Sequence, residues 1–173
     1  MSPTIVSSEY LYRGRLISLK LVRAVYSRGE VVREVVEHPG SVVIAPELEP
    51  GVYLLLRQHR ISVGEVLLEL PAGTIEAGER PEVCAARELE EETGYKAGQL
   101  IHLARTYSTP GYSTETMDIF LARNLEESSS KLEADEEIEL IRMNREAISR
   151  AISAGEIRDL KTIAALFLAF SYR

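Results

Sequence analysis

The sequence predicts an α/β fold, with a strand-rich first third that holds an antiparallel hairpin and helices confined to the chain beyond it. Three observations carry this. Val- and Leu-rich, β-prone runs fill the chain from Tyr10 to Gln58, apolar residues at helical spacing appear only from Pro81 onward, and 173 residues with 45% hydrophobic content suffice for one buried core.

The elements follow in order. Leu16, Ile17, Leu19 and Leu21 lead into Val22, Val25 and Tyr26, and Val31, Val32, Val35 and Val36 follow a break at Arg28-Gly29, so Tyr10 to His38 reads as strands with a hairpin at Ser27 to Glu30. Ser41 to Ala45 and Val52 to Gln58 are two more strands, separated by a turn from Pro46 to Gly51. The nearly unbroken run Val52-Tyr53-Leu54-Leu55-Leu56 belongs in the centre of a sheet. A long loop is expected from His59 to about Val66, then a short segment, Leu67 to Pro71, entering a Gly-rich passage.

Pro81 suits the first turn of a helix, where its missing N–H costs nothing, and Val83, Ala86, Leu89 and Thr93 recur at helical spacing. Gly94 stands where a left-handed residue ends such a helix, which therefore spans Pro81 to Thr93. Strands are expected around Leu100 to Tyr107, Thr116 to Ala122 and Ile138 to Met143. Asn144 and Asp159 can each cap a helix, the first running to about Ala154 and the second to Phe170.

The 27 acidic residues outweigh the 20 basic ones, a formal charge of -7, which argues against a nucleic-acid surface. No stretch approaches the roughly 20 apolar residues that span a membrane, and Met1 to Ser8 lack the basic-then-apolar pattern of an export signal, so a cytoplasmic protein is expected. Cys84 is the only cysteine, which excludes an intrachain disulfide framework. It lies beside the apolar helix face as a small hydrophobe, and His38, His59 and His102 are scattered without ligand spacing.

The chemistry concentrates on the helix from Pro81. Glu88, Glu91 and Glu92 stand at i, i+3 and i+4, so three carboxylates share a face, while Arg87 precedes Glu91 by four and can pair with it. Like carboxylates at that spacing repel and raise one another's pKa unless a cation intervenes. A hard divalent cation with oxygen ligands is the physical remedy, magnesium first among them. The Gly73/Gly78 loop turns into this helix and brings Glu79 and backbone carbonyls towards it.

Gly73, five residues, Glu79, seven residues, then Arg87-Glu88-Leu89-Glu90-Glu91-Glu92-Thr93-Gly94-Tyr95 matches every defined position of the Nudix box, GX5EX7REUXEEXGU, where U is bulky and apolar. The sequence resembles the Nudix hydrolases. That resemblance implies an α/β/α sandwich around a mixed sheet and magnesium-dependent hydrolysis of a nucleoside diphosphate linked to another group. Manganese or zinc are possible substitutes. It implies Glu88 and Glu92 as the principal metal ligands with the carbonyl of Ala72, Glu91 nearby as a further ligand or as a group supporting the ligands, all three carboxylates in the catalytic set, and Gly73, Glu79 and Arg87 as structural residues, the last two joined by a salt bridge. Arg80 departs from the Ser-like cap of many relatives.

Further segments resemble the ADP-ribose pyrophosphatases of that family: Pro110-Gly111 followed by Glu115, Arg57-Gln58-His59-Arg60 leading to Leu68-Glu69-Leu70-Pro71-Ala72-Gly73, and Arg33-Glu34. The likeness implies a small antiparallel sheet in an N-terminal strand region, residues 1–40, that swaps or docks across a two-fold homodimer, with the Nudix hydrolase domain in 41–173. It implies Arg60 at the phosphates, Arg33 and Glu34 at the nucleoside end, and Glu69, Pro110, Gly111 and Glu115 as further substrate contacts. A catalytic carboxylate is expected before the last strand among Glu133, Asp135, Glu136, Glu137 and Glu139, and the apolar-Glu-apolar entry Ile138-Glu139-Leu140 favours Glu136. The implied reaction is hydrolysis of ADP-ribose to AMP and ribose 5-phosphate, with ADP-glucose, GDP-mannose, NADH or a flavin dinucleotide as alternative substrates. Nucleic acid and membrane are not expected partners.

Overall fold

The computed structural model describes residues 2–129 and 138–172. The chain divides into two compact units, one formed by the chain up to Gly40 with Thr106–Met117, the other by Ser41–Arg105 with the chain from Asp118 on.

The first unit is an antiparallel sheet of three strands, β1 (Thr4–Arg13), β2 (Ser18–Tyr26) and β3 (Gly29–Glu37), in that spatial order. β2 and β3 pair without a slip from Ser18 opposite Glu37 to Tyr26 opposite Gly29, so the expected hairpin turns on Ser27-Arg28. Gly29 takes φ +134° there, a conformation that side chains resist. The segment after Thr106 adds to the edge of β3: Val36 N–H donates to Tyr112 O at 2.8 Å and Thr114 N–H donates to Val36 O at 2.9 Å. β1 begins six residues before the strands expected from sequence and is exposed along its whole length, Ile5, Val6, Leu11 and Tyr12 included. Its partner, β2, supplies the hydrogen bonds that Thr4 to Ser8 do not announce by pattern.

The second unit holds a seven-stranded mixed sheet. Its main path runs β10 (Ile138–Asn144), β5 (Val52–Arg60), β4 (Ser41–Glu49), β9 (Thr116–Glu127), β8 (Tyr95–Tyr107), with β6 (Glu65–Glu69) paired to β5 and β7 (Ala72–Thr74) paired to β4. The helices are α1 (Pro81–Thr93), α2 (Arg145–Ser153) and α3 (Leu160–Ser171). Val42 and Ile44 of β4 join Phe120 and Ala122 of β9 beneath Cys84, Ala85 and Leu89 of α1. Side chains alternate along a strand, so Val43 and Ala45, equally buried, belong to the opposite face, and α3 also packs on β4. β4 is thus covered on both faces, which explains a strand without polar alternation. No helix among the described residues is long and apolar enough to cross a membrane.

The helix ends agree with the sequence. Arg80 caps α1 without a side-chain hydrogen bond, Pro81 opens the helix, and Gly94 closes it at φ +71° with its N–H on Glu90 O. Asn144 accepts from Ala147 N–H at 2.8 Å and Asp159 from Thr162 N–H at 3.0 Å. Two expectations need correction. The long loop from His59 is a tight hairpin: β5 runs to Arg60, β6 starts at Glu65, and Val63 and Gly64 N–H donate to Arg60 O. Ile61 and Val63 are exposed at its tip, and such apolar residues conceal a turn. The turn expected from Pro46 is shorter, because β4 continues through Pro46 to Glu49, with a register irregularity between Glu47 and Glu49 just beyond the proline.

Candidate active site

The backbone after β6 is clamped at three successive residues. Leu70 N–H donates to the buried Thr162 Oγ1 of α3 at 2.8 Å, Pro71 O accepts from Ile44 N–H at 2.9 Å, and Ala72 N–H donates to Glu92 Oε2 at 3.0 Å. This holds Ala72 and Gly73 against α1. A Cβ on Gly73 would lie 1.9 Å from Glu88 Cδ and 2.0 Å from its Oε1, so the Glu88 carboxylate rests directly on the glycine backbone. Glu88 and Glu92, one helical turn apart, therefore converge on the same short strand from the same helix.

Arg87 organises the neighbouring carboxylates. Its Nε and Nη2 donate to the two oxygens of Glu79 at 3.1 Å each, and its Nη1 donates to Glu88 Oε1 at 2.7 Å and Glu91 Oε2 at 3.0 Å. Glu79 also accepts from Glu76 N–H at 3.0 Å. The Arg87 guanidinium, helped by that backbone donor, holds the Glu79 carboxyl down at about 2, and Glu79 in turn pushes the Arg87 pKa up. Burial pushes the Cys84 thiol up to about 12, so it is neutral and unreactive here.

The placement is unfavourable for the helix alone. Glu90, Glu91 and Glu92 occupy its last turn, at the negative end of the helix dipole, with no basic residue in that turn. Carboxylates so placed, together with a backbone pressed on Glu88, are a donor set of hard oxygens that suits a divalent cation. Among the described residues no three His, Cys, Asp or Glu side chains close into a cage of their own.

Beside this cluster, Glu69 at the end of β6 is 1% exposed and grips Arg60 with both oxygens, Nε to Oε1 and Nη2 to Oε2, each at 2.9 Å. Lys161 Nζ also reaches Glu69 Oε2, and stands 2.9 Å from Asp159 Oδ2. Burial pushes the Glu69 carboxyl up, but Arg60 and Lys161 more than offset it, and the net displacement is downward. Glu69 pushes the Arg60 pKa up, with Glu92 and Asp159 adding to the effect. Sequence reasoning missed Lys161 and Thr162; a lysine in the first turn of a helix, against the dipole, was the available signal.

The first unit contains a cavity of about 560 Å³ whose lining includes Arg33, Glu34, Gly111 and Tyr112 over apolar Leu19 and Val36. Pro110 is exposed next to Gly111 in the chain, and Glu115 lies 3.9 Å from His38 Nδ1. Of the acidic tract, Glu133, Asp135, Glu136 and Glu137 lie outside the described residues. Glu139 is on β10 opposite Arg57, and the two form an exposed ion pair at 2.8 Å.

The model of the NUDIX domain matches residues 37–166, which contain every one of the carboxylates gathered on α1. The chain belongs to the Nudix family. Membership brings a divalent-metal-dependent mechanism in general, and the Nudix box is the segment from Gly73 through Tyr95 described above. The chain is 34% identical to an ADP-ribose pyrophosphatase of Bacillus subtilis over 93% of its own length and 89% of that protein's. It is 32% identical, with the same coverage, to a methanol dehydrogenase activator of Bacillus methanolicus. A crystal structure of an ADP compounds hydrolase superposes with a TM-score of 0.87 and 26% identity, covering 98% of this Nudix chain and 93% of that one.

Proposed function

We propose that this protein hydrolyses the pyrophosphate bond of ADP-ribose, giving AMP and ribose 5-phosphate. The observation that carries the reading is the convergence of Glu88 and Glu92 on Ala72-Gly73, with a partly exposed Arg60 held beside Glu69 in the same unit. The likeness to an ADP-ribose pyrophosphatase over nearly the whole chain supports the choice of substrate.

Glu88, Glu92 and the Ala72 carbonyl would hold the cation, with Glu91 close by on the Arg87 guanidinium. Magnesium bound there supplies neutralisation of the pyrophosphate oxygens and a more acidic water, and manganese or zinc would supply the same in substitution. Arg87 keeps Glu88 and Glu91 aligned, and the Ala72 N–H fixes the Glu92 carboxylate. Arg60 offers its guanidinium to the phosphate oxygens, a fork that matches their geometry. Glu136, in the acidic tract before β10, takes the proton of the attacking water. The new P–O bond forms as the bridging P–O bond breaks, and one phosphate leaves on each product. Arg33 and Glu34 are assigned to the nucleoside end, and Pro110, Gly111 and Glu115 to further substrate contacts.

Turnover of ADP-ribose with magnesium, run beside ADP-glucose, GDP-mannose, NADH and a flavin dinucleotide, tests the reading. ADP-ribose is expected to exceed the others in kcat/KM by about tenfold or more, a difference of about 1.4 kcal/mol in transition-state binding. Another compound in first place would overturn the substrate, and silence across the panel would overturn the enzyme. The homodimer is proposed on the exposed apolar side chains of β1 within the 1–40 strand region. Its expected signature is a solution mass of twice the 19.3 kDa chain, and a monomer would remove it.

A further inference from the structure

Lys161 has no part in the Nudix box, yet its position is unusual in two respects. It is the second residue of α3, where the positive end of the helix dipole disfavours a cation. It also surrenders the rotamer freedom of a long side chain, being only 22% exposed. Both costs are met at one place, the Glu69 carboxylate, which Lys161 shares with Arg60. Asp159, fixed as the cap of α3, holds Lys161 from the other side at 2.9 Å.

The arrangement leaves Arg60 aligned and partly unspent. Glu69 takes its Nε and Nη2, no described residue accepts from Nη1, and the side chain is 35% exposed. Arg60, Lys161, Glu69 and Asp159 sum to no net charge. Without Lys161 the same cluster carries one net negative charge beside the place where a doubly anionic pyrophosphate must bind.

We propose that Lys161 is a positioning residue for the substrate pyrophosphate: by sharing the Glu69 carboxylate it keeps the Arg60 fork both oriented and electropositive. The proposal rests on the reading of Arg60 as the phosphate-side group. Lys161 does not touch the substrate. It acts through Glu69, and its removal shifts the balance of a buried carboxylate that then has Arg60 alone to neutralise it.

Steady-state kinetics on the full chain test this, with ADP-ribose or whichever compound leads the panel. Lys161→Met is expected to raise KM about tenfold while kcat falls by no more than about threefold, and Lys161→Arg to restore most of the KM. In an Arg60→Gln background, Lys161→Met should add no further rise, because the group it serves is gone. Lys161→Gln, which keeps a donor to Glu69 without the charge, should show the same KM rise and guards against a Met variant that fails to fold. A KM unchanged in either folded variant, or a rise of equal size with Arg60 already replaced, would overturn the proposal. A panel on which the wild type is silent fails the functional reading instead, and the two failures are thereby separate.

Discussion

Glu92→Gln is expected to lower kcat by about a thousandfold, roughly 4 kcal/mol of transition-state stabilisation. The side chain is 4% exposed and its Oε2 accepts from Ala72 N–H. Glutamine has the same shape and retains a carbonyl acceptor, so the clamp on Ala72 persists while the charge that would hold a cation disappears. The melting temperature should stay within a few degrees of wild type, since a buried negative charge at the wrong end of a helix dipole has also been removed. Glu88→Gln should behave alike. An independent route to the same defect is Gly73→Ala. Gly73 does not sit at positive φ, so alanine meets no backbone penalty, but its Cβ would occupy the space of Glu88 Cδ. The Glu88 carboxylate must move aside, and the expected result is a rate loss of about a hundredfold in a protein of near-normal stability. Magnesium titration of the rate, with thermal melts of the same samples, checks all three. Folded variants within tenfold of the wild-type rate would remove these carboxylates from the metal site.

What the sequence disclosed about this site, and what it withheld, follows from the range of the interactions. The α1 helix, its proline start, its glycine end and the Arg87 pairs with Glu79 and Glu91 are local in sequence, governed by spacing and capping, and all are present. The caps at Asn144 and Asp159 were legible for the same reason. Lys161 and Thr162 were not, because they meet Glu69 and Leu70 across 92 residues of chain, and no periodicity records such a meeting. The hairpin between β5 and β6 was hidden differently. Its tip carries Ile61 and Val63 where polar residues are usual, and only Gly64, at φ +68°, gives the turn away. β1 went unrecognised in its first half because an edge strand exposed throughout has no alternation to display. The cavity lined by Arg33, Glu34 and Gly111 brings together segments that the sequence named but did not join.

Arg87→Met should be the most destabilising single change in the Nudix box. The guanidinium makes four hydrogen bonds to Glu79, Glu88 and Glu91, and methionine fills its volume but leaves three carboxylates facing one another. The pairs are partly buried, so the loss lies between the ~1 kcal/mol of an exposed ion pair and the ~5 kcal/mol of a buried one, about 2–4 kcal/mol. For a chain of this size that is a fall in Tm of roughly 5–15 °C. Its pH dependence identifies the cause. In the folded protein Glu79 is held at about 2, below its ordinary range, so its contribution is full at neutral pH and is lost as pH falls towards 2. Arg87→Met lacks that contribution throughout. The gap in Tm between the two proteins should therefore be widest near pH 7 and begin to close below about pH 5, where unfolded carboxyls take up protons. Thermal melts from pH 7 to pH 3 measure it directly. A gap that stayed constant over that interval would mean that Arg87 acts through packing of its aliphatic stem, and the three carboxylates would then depend for neutralisation on the bound cation alone.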